Sequence, residues 1–136
     1  MALTRIDVQT RERAEMIDVT REVAAAVRAS AVRSGVALVY CPHTTAGVTV
    51  QENADPDVQH DLLLALESAV PPRALRGHYR HAEGNSDAHV KASLVGSSAA
   101  VPVEEGALVL GTWQGIFLCE FDGPRTRTLQ LRIIPG

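Results

Sequence analysis

The pairs Asp55-Pro56 and Pro71-Pro72 fence off a stretch whose only good solution is a helix. An Asp at the cap position accepts a hydrogen bond from a free first-turn amide. The proline after it has its φ already set and lacks an N–H that would have no partner there anyway. The helix therefore runs from Pro56 to Val70 and stops before the double proline. At 100° per residue, Val58, Leu62, Leu63, Ala65, Leu66, Ala69 and Val70 share one broad face, with His60 and Glu67 opposite it in solvent. Asp61 falls at the edge of the apolar arc, where a helix can aim a carboxylate into a neighbouring cleft. Such a helix needs an apolar surface to lie on, and the rest of the chain has to supply it.

That surface reads as strands. Leu3 to Thr10 alternates apolar and polar residues, and Glu15 to Val19 suggests a short second strand. Thr20 is placed to cap an Ala-rich helix over Arg21 to Ser34, which Gly35 would close. Val36 to Cys41 is a continuous apolar run ending at Pro42, and Gly47 to Gln51 is rich in β-branched residues. Residues 71 to 86 read as loop and Asp87 to Gly96 as a short helix. The last third holds strand patterns at Ser98 to Val103, Ala107 to Gly111, Gly115 to Phe121 and Arg127 to Ile134, with a turn at Glu104-Glu105-Gly106. Strands clustered late, with two main helices between the earlier ones, favour an α+β fold over regular βαβ alternation.

At 136 residues the chain, 1–136, is expected to form a single domain with a core that needs no staples. Aromatic residues make up only 4%, so that core must rest on Val, Leu, Ile and Ala. A net charge of -3, with Lys91 the sole lysine, argues against nucleic acid as a partner, because phosphate backbones are bound by clustered cations. No apolar run approaches the length of a membrane span. The first residues lack the apolar core of a secretory signal, and two cysteines make no disulfide framework. A cytoplasmic protein with reduced thiols is the expectation.

Candidate chemistry gathers in CPHTTAG and HAEGNSDAHVKAS, which contain His43, His81 and His89 among small and polar residues. Imidazole is the commonest metal ligand and titrates near neutral pH. Each histidine also has an ordinary reading, as a strand-end or loop side chain, and the spacing matches no standard zinc signature. Asn85, Ser86 or Asp87 is placed to cap the helix that carries His89. Glu120 lies on a strand apolar on both faces, sharing one with Ile116 and Leu118, so no solvated side is open to it. Such an acid must be paired, protonated or metal-bound, with Arg125 or Arg127 as candidate ion-pair partners. Arg73, Arg76 and Arg80, with His78 and His81, form a local positive cluster. It suits either a phosphorylated ligand or the C-terminal end of the preceding helix. Cys41 and Cys119 sit in apolar strands and read as inert thiols. Trp113, the sole tryptophan, lies between Gly111 and Gly115, a bend that suits either a cavity wall or the core.

Taken in order, HTTAGVTVQENADPDVQHD, HAEGNSDAHVKASLVGSS, GALVLGTWQGIFLCE and EFDGPRTR resemble the YjbQ-like family of small bacterial and archaeal proteins. The likeness runs from about residue 35 to the C-terminus. It implies a β-sandwich core within the α+β class and a homotrimer with polar clefts near subunit interfaces. It also implies secondary thiamine-phosphate synthase activity, joining hydroxymethylpyrimidine diphosphate to thiazole phosphate with release of pyrophosphate. Carried over by motif, the family's polar positions are His43, Thr44, Thr45, Glu52, Asn53, Asp55, Asp61, His81, Asn85, His89, Lys91, Trp113, Gln114, Glu120 and Arg125.

Two functional expectations follow. In the first, His43, His81 and His89 bind a divalent ion, zinc foremost, leaving an open position. Glu120, Asp61, Lys91 and Asn85 then do the chemistry, while Thr44, Thr45, Asn53, Trp113, Gln114 and Arg125 hold a small phosphorylated metabolite. In the second, the same residues form a non-catalytic trimeric binding protein for an anionic metabolite or a metal ion.

Overall fold

A computed structural model describes residues 3–136. The chain runs β1 (Thr4–Gln9), β2 (Glu15–Asp18), α1 (Thr20–Ser30), β3 (Gly35–Tyr40), β4 (Ala46–Glu52), α2 (Pro56–Ala69) and α3 (Ser86–Val95). It continues as β5 (Ser98–Glu104), β6 (Ala107–Leu108), β7 (Gln114–Glu120) and β8 (Thr126–Pro135). All strand pairs are antiparallel. One sheet has the order β1-β8-β3-β5-β6 and the other β2-β7-β4.

Strand alternation builds three layers. Val39, Val101, Leu129 and Leu131 of the larger sheet meet Val48, Ile116 and Leu118 of the smaller one, and Val23 and Val27 of α1 join this core. Each fully buried Leu, Ile or Phe side chain contributes ~1.5–3 kcal/mol of transfer free energy. The opposite face of β7 presents Phe117, Cys119 and, just beyond its end, Phe121. Ala88 and Ala92 of α3 cover these residues, with Leu63 and Leu66 of α2 partly buried beside them. The alternation read from GIFLCEF is thus realised, with Glu120 turned into the sandwich.

Asp55 caps α2 as its sequence implies, its carboxylate accepting from the Asp57 amide at 2.9 Å, and Val70 ends it. The helix nevertheless buries none of its residues fully, so its apolar face is only half covered. Other boundaries differ from expectation. Among the described residues there are three helices, the two main ones and the short one expected over Asp87 to Gly96, which spans Ser86–Val95. Helix α1 stops at Ser30, where Ala31 takes a left-handed φ of 58°, and Gly35 opens β3 instead of closing the helix. Thr20 is not the cap. Asp18 accepts from the Thr20 amide and hydroxyl, while that hydroxyl accepts from the Ile116 amide and ties α1 to β7. Strand β6 is only two residues long, because the chain leaves the sheet towards a turn in which the Gln114 side chain accepts from the Gly111 amide.

Gly47 decides where α3 sits. The Val48 amide donates to the Gly96 carbonyl at 3.0 Å, and a Cβ on Gly47 would stand 2.6 Å from that oxygen. The end of α3 can therefore lie directly on β4. Among the described residues no helix is long and apolar enough to cross a membrane.

Candidate functional site

The segment between β3 and β4 is fixed from below by one buried ion pair. Glu120 accepts from Arg127 Nε at 2.8 Å and Nη2 at 2.5 Å, from the Thr10 hydroxyl at 2.8 Å, and from the amides of Phe121 and Asp122 at 3.0 Å each. Burial by itself would raise the Glu120 pKa. Hydrogen bonds from Arg127, the Asp122 amide and Thr10 outweigh it and hold the carboxyl below its ordinary value. Arg127 then donates to the Thr45 hydroxyl at 2.8 Å and the Thr45 carbonyl at 3.2 Å. The segment 42–45 is thereby pinned to the sandwich.

His43 rises from that segment. Its Nε2 accepts from the Thr128 amide of β8 at 2.9 Å, which requires an unprotonated nitrogen there. The proton of the neutral ring therefore sits on Nδ1, which has no partner among the described residues. Burial, and after it the Arg127 charge, push His43 below the ordinary imidazole value. The ring is a neutral donor locked in one tautomer.

Opposite lies the start of α3. Asn85 occupies the cap position but makes no side-chain cap; its Nδ2 donates instead to Asp122 at 2.8 Å. Asp122 also accepts from Arg125 at 2.9 Å. Asn85 Oδ1 is the one buried side-chain polar atom without a partner among the described residues. His89, one turn on, meets His81 edge to face, with ring centroids 5.3 Å apart. Together His43, Thr44, Thr45, His81, Asn85, His89 and Arg125 line a cavity of about 390 Å³, with Glu83, Asp122 and Arg127. A second hollow of about 530 Å³ shares His43, Thr44 and His89 with it.

The remaining candidates lie elsewhere. Gln114 and Glu120 stand at opposite ends of β7, about 20 Å apart at ~3.3 Å per residue. Asn53 is at the Gln114 end, with its amide donating to the Trp113 carbonyl and its side chain to Asp18. Trp113 itself is 62% exposed rather than a core or cavity residue. Asp61 points to solvent beside His60, so α2 does not aim it into the cleft. Lys91 is buried on the far side of α3 between Glu67 and Asp87. Glu67 therefore pairs with α3 and is not simply solvated. Arg73, Arg76 and Arg80 are exposed in the loop after α2. Cys41 and Cys119 are free and buried; burial raises both thiols, Cys119 to about 12.

Three histidines do not converge as ligands in this arrangement. His43 Nε2 is spent on Thr128, and no group of three or more His, Cys, Asp or Glu side chains is set to hold an ion among the described residues. Asp122 and Thr128 were not singled out from sequence. Asp122 sits within the EFDGPRTR string, whereas a backbone amide such as that of Thr128 leaves no mark in the residue types.

A family profile described as "UPF0047 protein YjbQ-like" matches residues 4–136. The chain belongs to that family. The UPF0047 protein YugU of Bacillus subtilis is 52% identical over 97% of this chain and 98% of its own length. A UPF0047 protein of Methanocaldococcus jannaschii is 46% identical, covering 97% and 94%. Among solved structures, an uncharacterized conserved protein of this family from Clostridium acetobutylicum superposes with a TM-score of 0.92 at 50% identity, covering 96% of this chain and 99% of that one. A "YbjQ-like protein of unknown function" from Sulfolobus solfataricus gives 0.92 at 31% identity, covering 99% and 97%.

Membership in the UPF0047 family thus confirms the resemblance and the α+β fold. It overturns the expectation of thiamine-phosphate synthesis. The matched relatives are described only as UPF0047, uncharacterized or of unknown function, so membership conveys an architecture and no reaction. Transferase activity, zinc and a trimer likewise find no support in these relatives.

Proposed function

We propose that the cleft between His43 and the start of α3 binds a small hydroxylated anion, such as a phosphorylated metabolite. The observation that carries this reading is Asn85 Oδ1. A buried amide oxygen without a donor costs about 1–3 kcal/mol, and a ligand hydroxyl supplies the missing donor. Around it the cleft offers donors for an anion: His43 Nδ1–H, the Thr44 hydroxyl and the exposed Arg125 guanidinium. A cavity of about 390 Å³ lies within the size range of small-metabolite sites. Keeping His43 neutral suits donation to an oxygen without adding a second full charge to the cleft. The reading takes the protein as cytoplasmic, where the buried thiols stay reduced.

Glycerol 3-phosphate, inorganic phosphate and glycerol are the probes, titrated calorimetrically into wild type, Arg125→Gln and Asn85→Ala. Glycerol 3-phosphate should bind wild type most tightly. Arg125→Gln should weaken it about tenfold, through loss of a charge-assisted hydrogen bond, and Asn85→Ala should erase its advantage over phosphate. Indifference of wild type to all three, or equal binding by both variants, would remove the reading.

A second reading has one specific observation in its favour. The orphan oxygen belongs to a residue that lines the same cleft as His81 and His89, and one amide with two imidazoles is a donor set for a divalent cation, with zinc the first choice for nitrogen ligands. Elemental analysis of untagged wild type and His89→Ala decides it. Metal bound by wild type and lost in the variant would support it, and equal content would discard it.

A further inference from the structure

A third cavity, on the other side of α3, has no part in the cleft described above. It measures about 510 Å³, with a largely apolar lining from Leu63 and Leu66 of α2, Pro72 after it, and Phe121 beyond β7. Arg13 and Lys91 border the same space. Their shared partner is Asp87, which is fully buried and lies 3.2 Å from Arg13 Nη2 and 3.4 Å from Lys91 Nζ. Lys91 takes a second carboxylate from Glu67, and the two carboxylates differ sharply in setting. Asp87 is locked inside α3's contact with the body, whereas the Glu67 side chain is 50% exposed and rides on α2, a helix with no fully buried residue.

Lys91 therefore has one fully buried counter-ion, Asp87, and one, Glu67, that reaches it from a half-exposed side chain. A side chain 4% exposed cannot replace the departing carboxylate with bulk water, so it needs another anion in its place. Directly beside it is an apolar hollow. We propose that this cavity is a binding site for a monocarboxylic acid with an apolar body. Its carboxylate takes the place of Glu67 against Lys91 and Arg13, and its chain lies on Leu63, Leu66 and Phe121. Glu67 is the internal occupant that such a ligand displaces. The site is independent of the cleft at His43, so either assignment can fail while the other stands.

The test uses octanoate, acetate and octanol, titrated into wild type, Glu67→Ala, Arg13→Gln and His43→Ala with calorimetric and thermal-melt readouts. Glu67→Ala should melt below wild type, and octanoate should restore the loss by supplying the missing carboxylate. Octanoate should bind Glu67→Ala about tenfold more tightly than wild type, because the internal competitor is gone. Acetate, lacking the apolar chain, and octanol, lacking the charge, should each bind at least about tenfold more weakly than octanoate. Arg13→Gln, an alteration at a half-exposed side chain, should weaken octanoate, and His43→Ala should leave it unchanged. The proposal is overturned if octanoate binds wild type and Glu67→Ala equally. It is also overturned if acetate matches octanoate, or if neither protein binds octanoate at all.

Discussion

Arg127 sets the state of two titratable groups at once. It pairs with buried Glu120 and donates to Thr45, and its charge, after burial, helps hold His43 neutral. Replacing it with methionine leaves an unpaired carboxylate inside the sandwich, at a cost of about 3–5 kcal/mol in urea unfolding. The double change Glu120→Leu with Arg127→Met should recover most of that loss, because no unpaired charge is then left at that position. Acid titration separates the two groups. His43 has a folded pKa below its unfolded value, so its contribution is whole above about pH 6.5 and declines as pH falls below that towards the folded value. Glu120 is likewise depressed, so its contribution holds above about pH 4.3 and is lost as pH falls through its lowered native value. Urea midpoints measured from pH 8 to 3 should show both declines, and His43→Gln should remove its share of the first. An identical profile in that variant would mean that burial and the Arg127 charge do not hold His43 below its ordinary value. At this scale the sequence singled out Glu120 as an acid with nowhere solvated to go, and named Arg127 among its partners. It could not show the Thr128 amide, because backbone donors are common to every residue except proline.

At the scale of elements, local punctuation was read well where it acts alone and poorly where a neighbour competes. Asp55-Pro56 opens α2 as expected, and Asp55→Ala should cost about 1 kcal/mol through the lost cap. Thr20 looked equally good as a cap, yet Val19 takes the cap position, and the Thr20 hydroxyl instead donates to Asp18 and accepts from the Ile116 amide of β7. Helix α1 ends on Ala31 at a φ of 58°, which disfavours any residue with a Cβ. Ala31→Gly should raise stability by about 0.5–1 kcal/mol, and a lowered urea midpoint would refute the strain argument. Gly47→Ala tests how α3 is seated. The added methyl meets the Gly96 carbonyl and must lift α3 away from β4. A loss of about 2 kcal/mol or more is expected, with shifted His89 resonances because the cleft wall moves with the helix. Nothing in the string HTTAG announces that close approach, since the carbonyl comes from a residue distant in the chain.

Across the whole molecule, burial is uneven. Strand β7 is enclosed on both faces, whereas α2 leaves its apolar arc half covered. Opening of α2 should therefore cost far less than global unfolding. Native-state hydrogen exchange should find the β7 amides from Ile116 to Cys119 opening only with the whole protein, and those of α2 opening well before them. Equal protection in α2 would mean that a surface absent from the isolated chain covers it.

The sequence by itself determined the α+β class, most strand positions, the span of α2, the two-faced burial of β7 and the gathering of polar residues around His43, His81, Asn85 and His89. These follow from periodicity, caps and resemblance, which act over a few neighbouring residues or along whole motifs. Only the tertiary structure decided which of those residues share a cleft. It brought His43, Thr44, Thr45, His81, Asn85, His89 and Arg125 together. It also sent Lys91 to the opposite side of α3 and left Trp113, Gln114 and Asn53 at the far end of β7. The reason is geometric: side-chain direction along a helix or strand is set by residue spacing. Which cavity that direction meets depends on register and on close approaches such as Gly47 against Gly96, made between segments remote in the chain.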